Sequence, residues 1–459
     1  MLNVKEKIFL IVLFFLLLSM SLQFISTRSI KLNWTPAEAT NTRFRWLDSV
    51  NFYLETGKIL MNPGNHRLEE SSVGEDQGYP LILSILGRLW GLQEMSFGGF
   101  IKFNYLLLIS LGIVSSVLLF LSFKSLIIAT AFYYLYLKIG IYGGHIDHHW
   151  ILGAFIPFYL TFLIFFLKNR SIFKSSWFVI YFLIAGVANI MREGNGVVAL
   201  LILSLLFIIL MIQDGFKKFV PKPIFRTQFP YLHKNILLLT ILILVYVSPM
   251  LILDGVRKWR NGKYFNGQPS NMITHHGLWH SAFIGLGYIP NKYGIEYADP
   301  SGVEHARKIN PNVKYQTNEY HDILRGLYFK YSLESPSFWF DSFFAKVKTL
   351  HKEAVRFSAK FIRYLFPDDL NNYLPYGLLS AIFIISRKNK TSLAIFWLIL
   401  AAILTSSVPA LVAKPTTSFI VGFQAALFMA WFYFISLIYF AIKDFLKTHL
   451  PNQPFFDFL

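Results

Sequence analysis

The chain contains no cysteine, which excludes disulfide bonds, thiolate metal sites and thiol nucleophiles. It is also poor in charge: 15% of its 459 residues are Asp, Glu, Lys or Arg, whereas a soluble protein carries roughly a quarter. Instead the sequence has 54% hydrophobic and 18% aromatic residues, with a mean hydropathy of +0.48. Soluble cores of ordinary size cannot bury so much apolar surface, so we expect the surplus to face lipid.

Ten apolar runs are long enough to cross about 30 Å of hydrocarbon. They cover residues 8–25, 97–122, 125–142, 150–167, 176–191, 196–213, 236–253, 372–386, 391–412 and 417–442. The sequence therefore predicts an all-α polytopic membrane protein with about ten transmembrane helices. Lys5 and Lys7 precede the first run and no small-residue cleavage site follows it, so we expect an uncleaved helix with a cytoplasmic N-terminus.

The distribution of Lys and Arg supports this orientation. Six predicted cytoplasmic segments together hold 16 Lys and Arg against four acids; they are 1–7, 121–126, 168–176, 212–236, 386–391 and 443–459. Three short outer connections, 143–149, 192–196 and 413–417, hold two. The positive-inside rule then predicts that both termini are cytoplasmic, and it accounts for most of the net charge of +18 without a nucleic-acid partner.

Two outer segments are too long to be simple connections. Residues 26–96 carry an amphipathic stretch and then, at 79–90, a short apolar stretch that suits a helix lying in the membrane interface. Residues 254–370 are more polar and form an extracytoplasmic loop domain. We therefore predict an N-terminal module of seven spans (1–253), which includes the outer loop 26–96, then this loop domain, and a C-terminal module of three spans (371–459).

Polar chemistry concentrates on the predicted outer side, where ten of the 12 histidines fall. The densest group is in the short loop 143–149. There His145, Asp147 and His149 offer nitrogen and oxygen ligands to a divalent cation such as Mg²⁺ or Mn²⁺. The alternative is a solvated loop in which Asp147 caps the helix that follows.

Four further candidates lie on the same side. Asp48 in the first outer loop could act as a general base toward an acceptor hydroxyl, or cap the amphipathic helix. Asp76 is a second acid of that loop, or part of a polar turn. Arg192 could hold a phosphate, or pair locally with Glu193. Lys414 could face the same phosphate, or mark the membrane interface.

This arrangement resembles the GT-C superfamily of membrane glycosyltransferases, which use polyprenyl-phosphate or polyprenyl-diphosphate sugars. Asp48 within residues 47–54 is similar to the first-loop acidic motif of these enzymes. Residues 147–149, Asp-His-His, are similar to the second acidic motif of archaeal-type oligosaccharyltransferases. The resemblance implies a GT-C-like bundle, Asp48 as the catalytic or metal-organising carboxylate, and Asp147 and His149 as metal ligands. Glu319 would stand where those oligosaccharyltransferases place a further acid in a large outer loop.

The expected function is transfer of a sugar from a polyprenyl-linked donor to a hydroxyl of a glycan or lipid acceptor, at the outer membrane face. The sequence has no Trp-Trp-Asp motif of the kind that binds the acceptor in those oligosaccharyltransferases, which argues against asparagine as the acceptor. One alternative is a lipid-linked saccharide flippase or transporter, in which ionisable groups should lie within the spans. Another is an O-antigen ligase or polymerase-like protein, in which Arg257, Arg260 and His280 would be the sensitive positions.

Overall fold

The computed structural model describes residues 3–29, 41–61, 76–138, 151–169, 176–192, 194–215, 232–265, 278–315, 317–362, 372–415 and 417–449. These residues form sixteen α-helices and no β-strand. The helices are α1 (Val4–Ser29), α2 (Asn41–Thr56), α3 (Gly78–Leu89), α4 (Phe97–Phe123), α5 (Leu126–Lys138), α6 (Ile151–Lys168), α7 (Ser176–Met191), α8 (Asn195–Gly215), α9 (Leu232–Tyr264), α10 (Leu278–Leu286), α11 (Asp299–Ile309), α12 (Asn318–Glu334), α13 (Pro336–Ile362), α14 (Leu374–Ser386), α15 (Lys390–Val412) and α16 (Thr417–His449).

Each of the ten apolar runs forms a helix, namely α1, α4 to α9 and α14 to α16. A helix satisfies its own backbone hydrogen bonds, which hydrocarbon requires of any segment that crosses it. Among the described helices, α1, α4, α9, α15 and α16 are long and apolar enough to cross a membrane, and the other five are apolar but shorter over the residues described. This is the architecture of an α-helical membrane protein, while the number of ten spans stays a prediction.

One apolar core joins α1 to α9 with α13 to α16. The outward surfaces of these helices are apolar too: Phe14 and Phe15 of α1 and Leu244 and Leu251 of α9 are more than half exposed. In water such a surface would be an aggregation site. When these apolar side chains face lipid, their exposure carries no free-energy cost, which agrees with the apolar composition of the chain.

The helix α7 makes backbone contact with α9 at a glycine. A Cβ atom at Gly186 would collide with the carbonyl oxygen of Tyr246. Because glycine has no side chain, the two helices approach closely here, as small residues allow in membrane bundles.

The helix α9 extends past the expected end of its span at residue 253 and finishes at Tyr264. Near this C-terminal end Arg260 is fully buried, and its Nη1 donates to the carbonyl oxygen of Leu60 at 2.7 Å. The predicted domain boundary at 254 therefore falls inside a continuous helix. The C-terminal end of α9 is bound to the segment that follows α2.

The predicted loop domain has an apolar core of its own around Phe283, Tyr320 and Leu324. The rings of Tyr293 and Tyr331 stack beside this core with centroids 4.2 Å apart. The helix α13 leaves it and enters the membrane bundle, where Leu350, Ala354 and Phe357 are part of the main core. Thus α13 connects the loop domain to the bundle.

Candidate functional site

The candidate site is built around an ion pair between Asp76 and Arg192. Arg192 follows α7, and its Nη1 donates to Oδ2 of Asp76 at 2.7 Å. Both side chains are buried, with 2% of Asp76 and 8% of Arg192 exposed. Asp76 has a φ of 56°, a left-handed conformation that Asp adopts more readily than most residues. The turn before α3 thereby directs this carboxylate toward the end of α7.

The close approach of α3 to α7 depends on Gly78. A Cβ atom here would collide with the backbone carbonyl of Ile190, so a larger residue would force the helices apart. We expect Gly78→Ala to strain the Asp76–Arg192 pair and to lower stability by about 1–3 kcal/mol, the usual cost of overpacking. Thermal unfolding in detergent measures the change. Gly377→Ala is the control, since a Cβ there meets no atom within 4 Å; equal stability of the two variants would contradict the prediction.

Asp48 lies on an exposed position in the middle of α2. Because α2 begins at Asn41, the alternative that Asp48 caps this helix is wrong. The helix α2 packs against α3 through Trp46, whose ring centroid is 5.2 Å from that of Tyr79. The hydroxyl of Tyr79 in turn donates to Asn104 of α4. Asp48 is therefore carried by a helix packed against the one that Asp76 precedes.

A cavity of about 410 Å³ lies beside Arg192, between α6, α8, α10 and α15 at the end of the bundle nearest the loop domain. Its lining comprises Leu152, Arg192, Gly194, Asn195, Val197, Val198, Leu201, Leu278, Ser281, Thr405, Val408, Pro409, Val412, Ala413 and Phe419. Among these residues Arg192 alone is charged. The rim is apolar and exposed, with Val197 and Leu201 of α8 on one side and Val408 of α15 on the other. The cavity thus opens at an exposed apolar surface of the helix bundle and has one cation in its wall.

The first turn of α8 also faces this cavity. Helix N-termini carry a partial positive charge, which favours anions. Asn195, the first residue of α8, is 3% exposed, and its Nδ2 has no hydrogen-bond partner among the described atoms. A buried amide without a partner costs free energy that a ligand acceptor can restore. Arg192, Asn195 and the helix terminus therefore form a setting suited to an anion.

Lys414 and Glu319 lie away from the cavity wall. The Nζ of Lys414 lies 4.9 Å from the ring centroid of Tyr297. Glu319 is exposed in the first turn of α12, where its Oε1 accepts from Nδ2 of Asn310 at 2.6 Å. The structure therefore gives each a contact with another residue, and their roles at a phosphate or metal stay predictions.

The predicted metal ligands Asp147, His149 and His145 lie outside the described residues. Among the residues that are described, no group of three His, Asp or Glu side chains could hold a metal ion. The candidate site as described therefore does not include residues 143–149, and the metal site stays a prediction.

Two of the three positions expected for a ligase, Arg260 and His280, have hydrogen-bond partners, whereas the Nε of Arg257 has none among the described atoms. His280 is buried, and its Nδ1 lies 2.6 Å from the hydroxyl of Tyr320. Its Nε2 lies 3.1 Å from Oδ1 of Asp299. A carboxylate only accepts, so Nε2 donates to Asp299. His280 thereby connects α10 with α11 and α12, and the bond from the buried Arg260 to Leu60 connects α9 with the segment after α2.

Lys346 of α13 joins the loop domain to the C-terminal end of α15. Its Nζ donates to the carbonyl oxygens of Leu411 at 3.0 Å and Val412 at 3.2 Å. These carbonyls end α15, where a cation is favourable. The side chain is 4% exposed, and burial lowers the pKa of its ammonium group to about 8.

We expect stability to rise with pH because of Lys346. Its folded pKa of about 8 lies below the unfolded value near ~10.4, so between these values the unfolded chain binds more protons. The slope should approach ~1.4 kcal/mol per pH unit in that window. Unfolding in detergent from pH 7.5 to 10 measures it, and Lys346→Met should remove the slope, whereas the exposed Lys348→Met should keep it. Identical slopes in the two variants would contradict the assignment.

The sequence indicated Asp76 and Arg192 separately but not their pairing, and it gave no sign of Asn195 or Lys346. The pair joins residues 116 positions apart, so no local pattern connects them. The one available signal was a cation followed by Gly194 and Gly196 at the outer end of an apolar run. Comparisons with protein-family models, with characterised proteins and with solved structures give no match to this chain.

Proposed function

We propose that the protein is a GT-C-type glycosyltransferase. It takes a sugar from a polyprenyl-phosphate or polyprenyl-diphosphate carrier and transfers it to a hydroxyl of a glycan or lipid acceptor on the outer membrane face. The observation that carries this proposal is the lipid-facing apolar cavity with Arg192, Asn195 and the N-terminus of α8 in its wall. A lipid phosphate requires both an apolar wall and anion-binding donors.

The ligand would lie across this cavity with its ends in different surroundings. The polyprenyl chain would enter between Val197 and Val408, whose exposed apolar side chains border the mouth. The phosphate would accept hydrogen bonds from Arg192 and from the unpartnered amide of Asn195. Asp76 holds the guanidinium in place before the ligand arrives, so little reorganisation is needed on binding.

The reaction would be a single displacement at the anomeric carbon of the sugar. Asp48 accepts the proton of the acceptor hydroxyl, and the hydroxyl oxygen forms the new bond to that carbon. The bond from the carbon to the phosphate oxygen breaks, and its electron pair leaves with the phosphate. The product has the opposite configuration at the anomeric carbon.

Charge on the departing phosphate increases as the bond breaks, so a fixed cation binds the transition state better than the ground state. Arg192 would serve this role at the cavity wall, and Lys414 is a second candidate. A divalent metal held by Asp147 and His149, with His145, would supply further stabilisation of the leaving group. Full activity in excess chelator would show that the reaction needs no metal, and the proposed role of Asp48 as the base would be unaffected.

A flippase is the main competing function. It would need a polar path for the saccharide through the bundle, whereas the cavity described here is apolar apart from a few groups at its outer end. A ligase would depend on Arg257, Arg260 and His280. The hydrogen bonds of Arg260 to Leu60 and of His280 to Asp299 and Tyr320 favour a structural role for these two residues. These observations support the glycosyltransferase over both.

The direct test is an assay for transfer from a labelled donor. Membranes with and without the protein are supplied with hexosyl and N-acetylhexosaminyl polyprenyl phosphates and diphosphates that carry a radiolabelled sugar. We expect the protein to move label into a new glycan or glycolipid product. If it carries the intact donor across vesicle membranes but moves no label to any acceptor, the proposal is wrong and the flippase is favoured.

A further inference from the structure

A second cavity, of about 290 Å³, lies directly beyond the first on the loop-domain side. Its lining comprises Leu278, Trp279, Ala282, Leu286, Tyr328, Trp339, Ser342, Phe343, Lys346, Leu411 and Val412. Leu278 and Val412 also line the first cavity, so the two are neighbours separated by these side chains. Its volume is near the lower end of the ~300–1,000 Å³ typical of ligand pockets.

The walls of this aromatic cavity are planar and held in place. Trp339 donates from Nε1 to the hydroxyl of Tyr328 at 2.7 Å, which fixes the orientation of the indole. Its ring lies nearly parallel to that of Phe343, with an interplanar angle of 4°. Trp279 completes the wall, with its ring centroid 5.9 Å from that of Tyr328. Fixed aromatic faces suit the flat C–H face of a sugar ring, which stacks on them without ordering cost in the protein.

Polar groups are also present in this cavity. The ammonium of Lys346 has three N–H donors, and the carbonyls of Leu411 and Val412 accept two of them. Ser342 is 1% exposed, and its Oγ makes only a long bond of 3.4 Å to Gly285. A hydrocarbon chain would leave these groups without added partners, whereas sugar hydroxyls can both donate and accept. The lining therefore favours a hydroxylated ligand over a lipid tail.

We propose that this aromatic cavity is a saccharide-binding subsite, formed by α10, α12, α13 and the outer end of α15. The proposal rests on the proposed function, because a sugar here would lie next to the phosphate end of the first cavity. Its ligand is either the sugar of the donor or a ring of the acceptor glycan, and both use the same stacking chemistry.

Trp339→Leu tests the subsite in the purified full-length protein. Two probes report the two sources: bare and glycosylated polyprenyl phosphates by calorimetry, and free oligosaccharides by saturation-transfer NMR. Loss of one stacked ring should weaken saccharide binding by about three- to tenfold. Binding of bare polyprenyl phosphate should stay unchanged. Trp339→Phe keeps a ring and should restore most of the affinity, and Phe340→Leu, which alters an exposed neighbour outside the lining, should have no effect.

If Trp339→Leu weakens the binding of the glycosylated carrier alone, the cavity is a donor subsite. If it weakens the binding of free oligosaccharides alone, the cavity is an acceptor subsite. Unchanged binding of every saccharide overturns the proposal, as does an equal loss for bare polyprenyl phosphate, which would mean that the cavity holds the lipid chain. Saccharide binding that depends on Trp339 without any sugar transfer would remove the proposed enzyme and keep the subsite. Sugar transfer that is insensitive to Trp339 would remove only the subsite.

Discussion

Asp48→Asn is expected to slow sugar transfer by about 100- to 10,000-fold, the contribution of a positioned general base. Asparagine has nearly the same size and shape but cannot accept the proton of the acceptor hydroxyl. Because Asp48 is exposed on α2, we expect its replacement to leave the fold intact. The rate is measured with the labelled polyprenyl-linked donor, and thermal unfolding is measured on the same preparations.

The matched control is Glu55→Gln. Glu55 is also an exposed acid of α2, seven positions later, and therefore close to the same face of the helix. Its replacement removes an equal charge from the same surface. We expect its transfer rate to stay within about twofold of wild type, since a solvated exposed carboxylate contributes little. Equal losses in both variants would indicate a general electrostatic effect, and unchanged transfer in Asp48→Asn would remove Asp48 as the base.

The Asp76–Arg192 pair gives the largest expected effect on stability. Removing either residue takes the direct ion-pair partner from a buried charged side chain, at a cost of about 3–5 kcal/mol. Asp76→Asn is suitable because Asn tolerates the left-handed φ of 56° at this position. Arg192→Met keeps much of the side-chain length. Unfolding in detergent should show that the double variant loses much less than the sum of the two single losses.

Arg88→Met is the control for Arg192→Met, because Arg88 is an exposed arginine of α3. It should change stability by less than about 0.5 kcal/mol. Arg192→Met should also weaken the binding of bare polyprenyl phosphate, whereas Arg88→Met should not. Additive losses in the double variant would show that Asp76 and Arg192 act independently, contrary to the geometry of the pair. Undiminished phosphate binding in Arg192→Met would remove Arg192 from the lipid-phosphate site.

The helical elements were largely predictable, because apolar runs of this length are a local property of the sequence. All ten became helices, and the 12-residue stretch before the second run became α3. The end of α9 was not predictable from hydropathy, since the run of apolar residues stops before the helix does. Its last turns contain Arg257, Lys258 and Arg260, and a burial such as that of Arg260 depends on a partner from elsewhere in the chain.

Asp76 and Arg192 were predictable as candidate residues, whereas their pairing and the buried amide of Asn195 were not. Asp76 was expected as an acid available for chemistry, and the structure instead gives it to Arg192 as a buried counter-ion. Asp48 lies on a helix, as expected, but in its middle and not at its start, because α2 begins at Asn41. The Asp76–Arg192 pairing was missed for a different reason. Contacts across 116 positions are set by helix packing, whereas sequence patterns report only the faces of single helices.

Close helix contacts at two glycines affect how the bundle can move. The helix α3 packs directly against α7 at Gly78, and α7 packs directly against α9 at Gly186. In addition, Arg260 of α9 donates a hydrogen bond to Leu60, which follows α2. The contacts of α2 with α3, of α3 with α7, of α7 with α9, and of α9 with the segment after α2 form a closed ring, so we expect these four helices to move as one body. If the cavity binds a lipid, as proposed, the lipid would enter at the exposed apolar rim on α8 and α15, which do not belong to this ring. A compound bound at this rim would then block entry of the lipid without contacting Asp48.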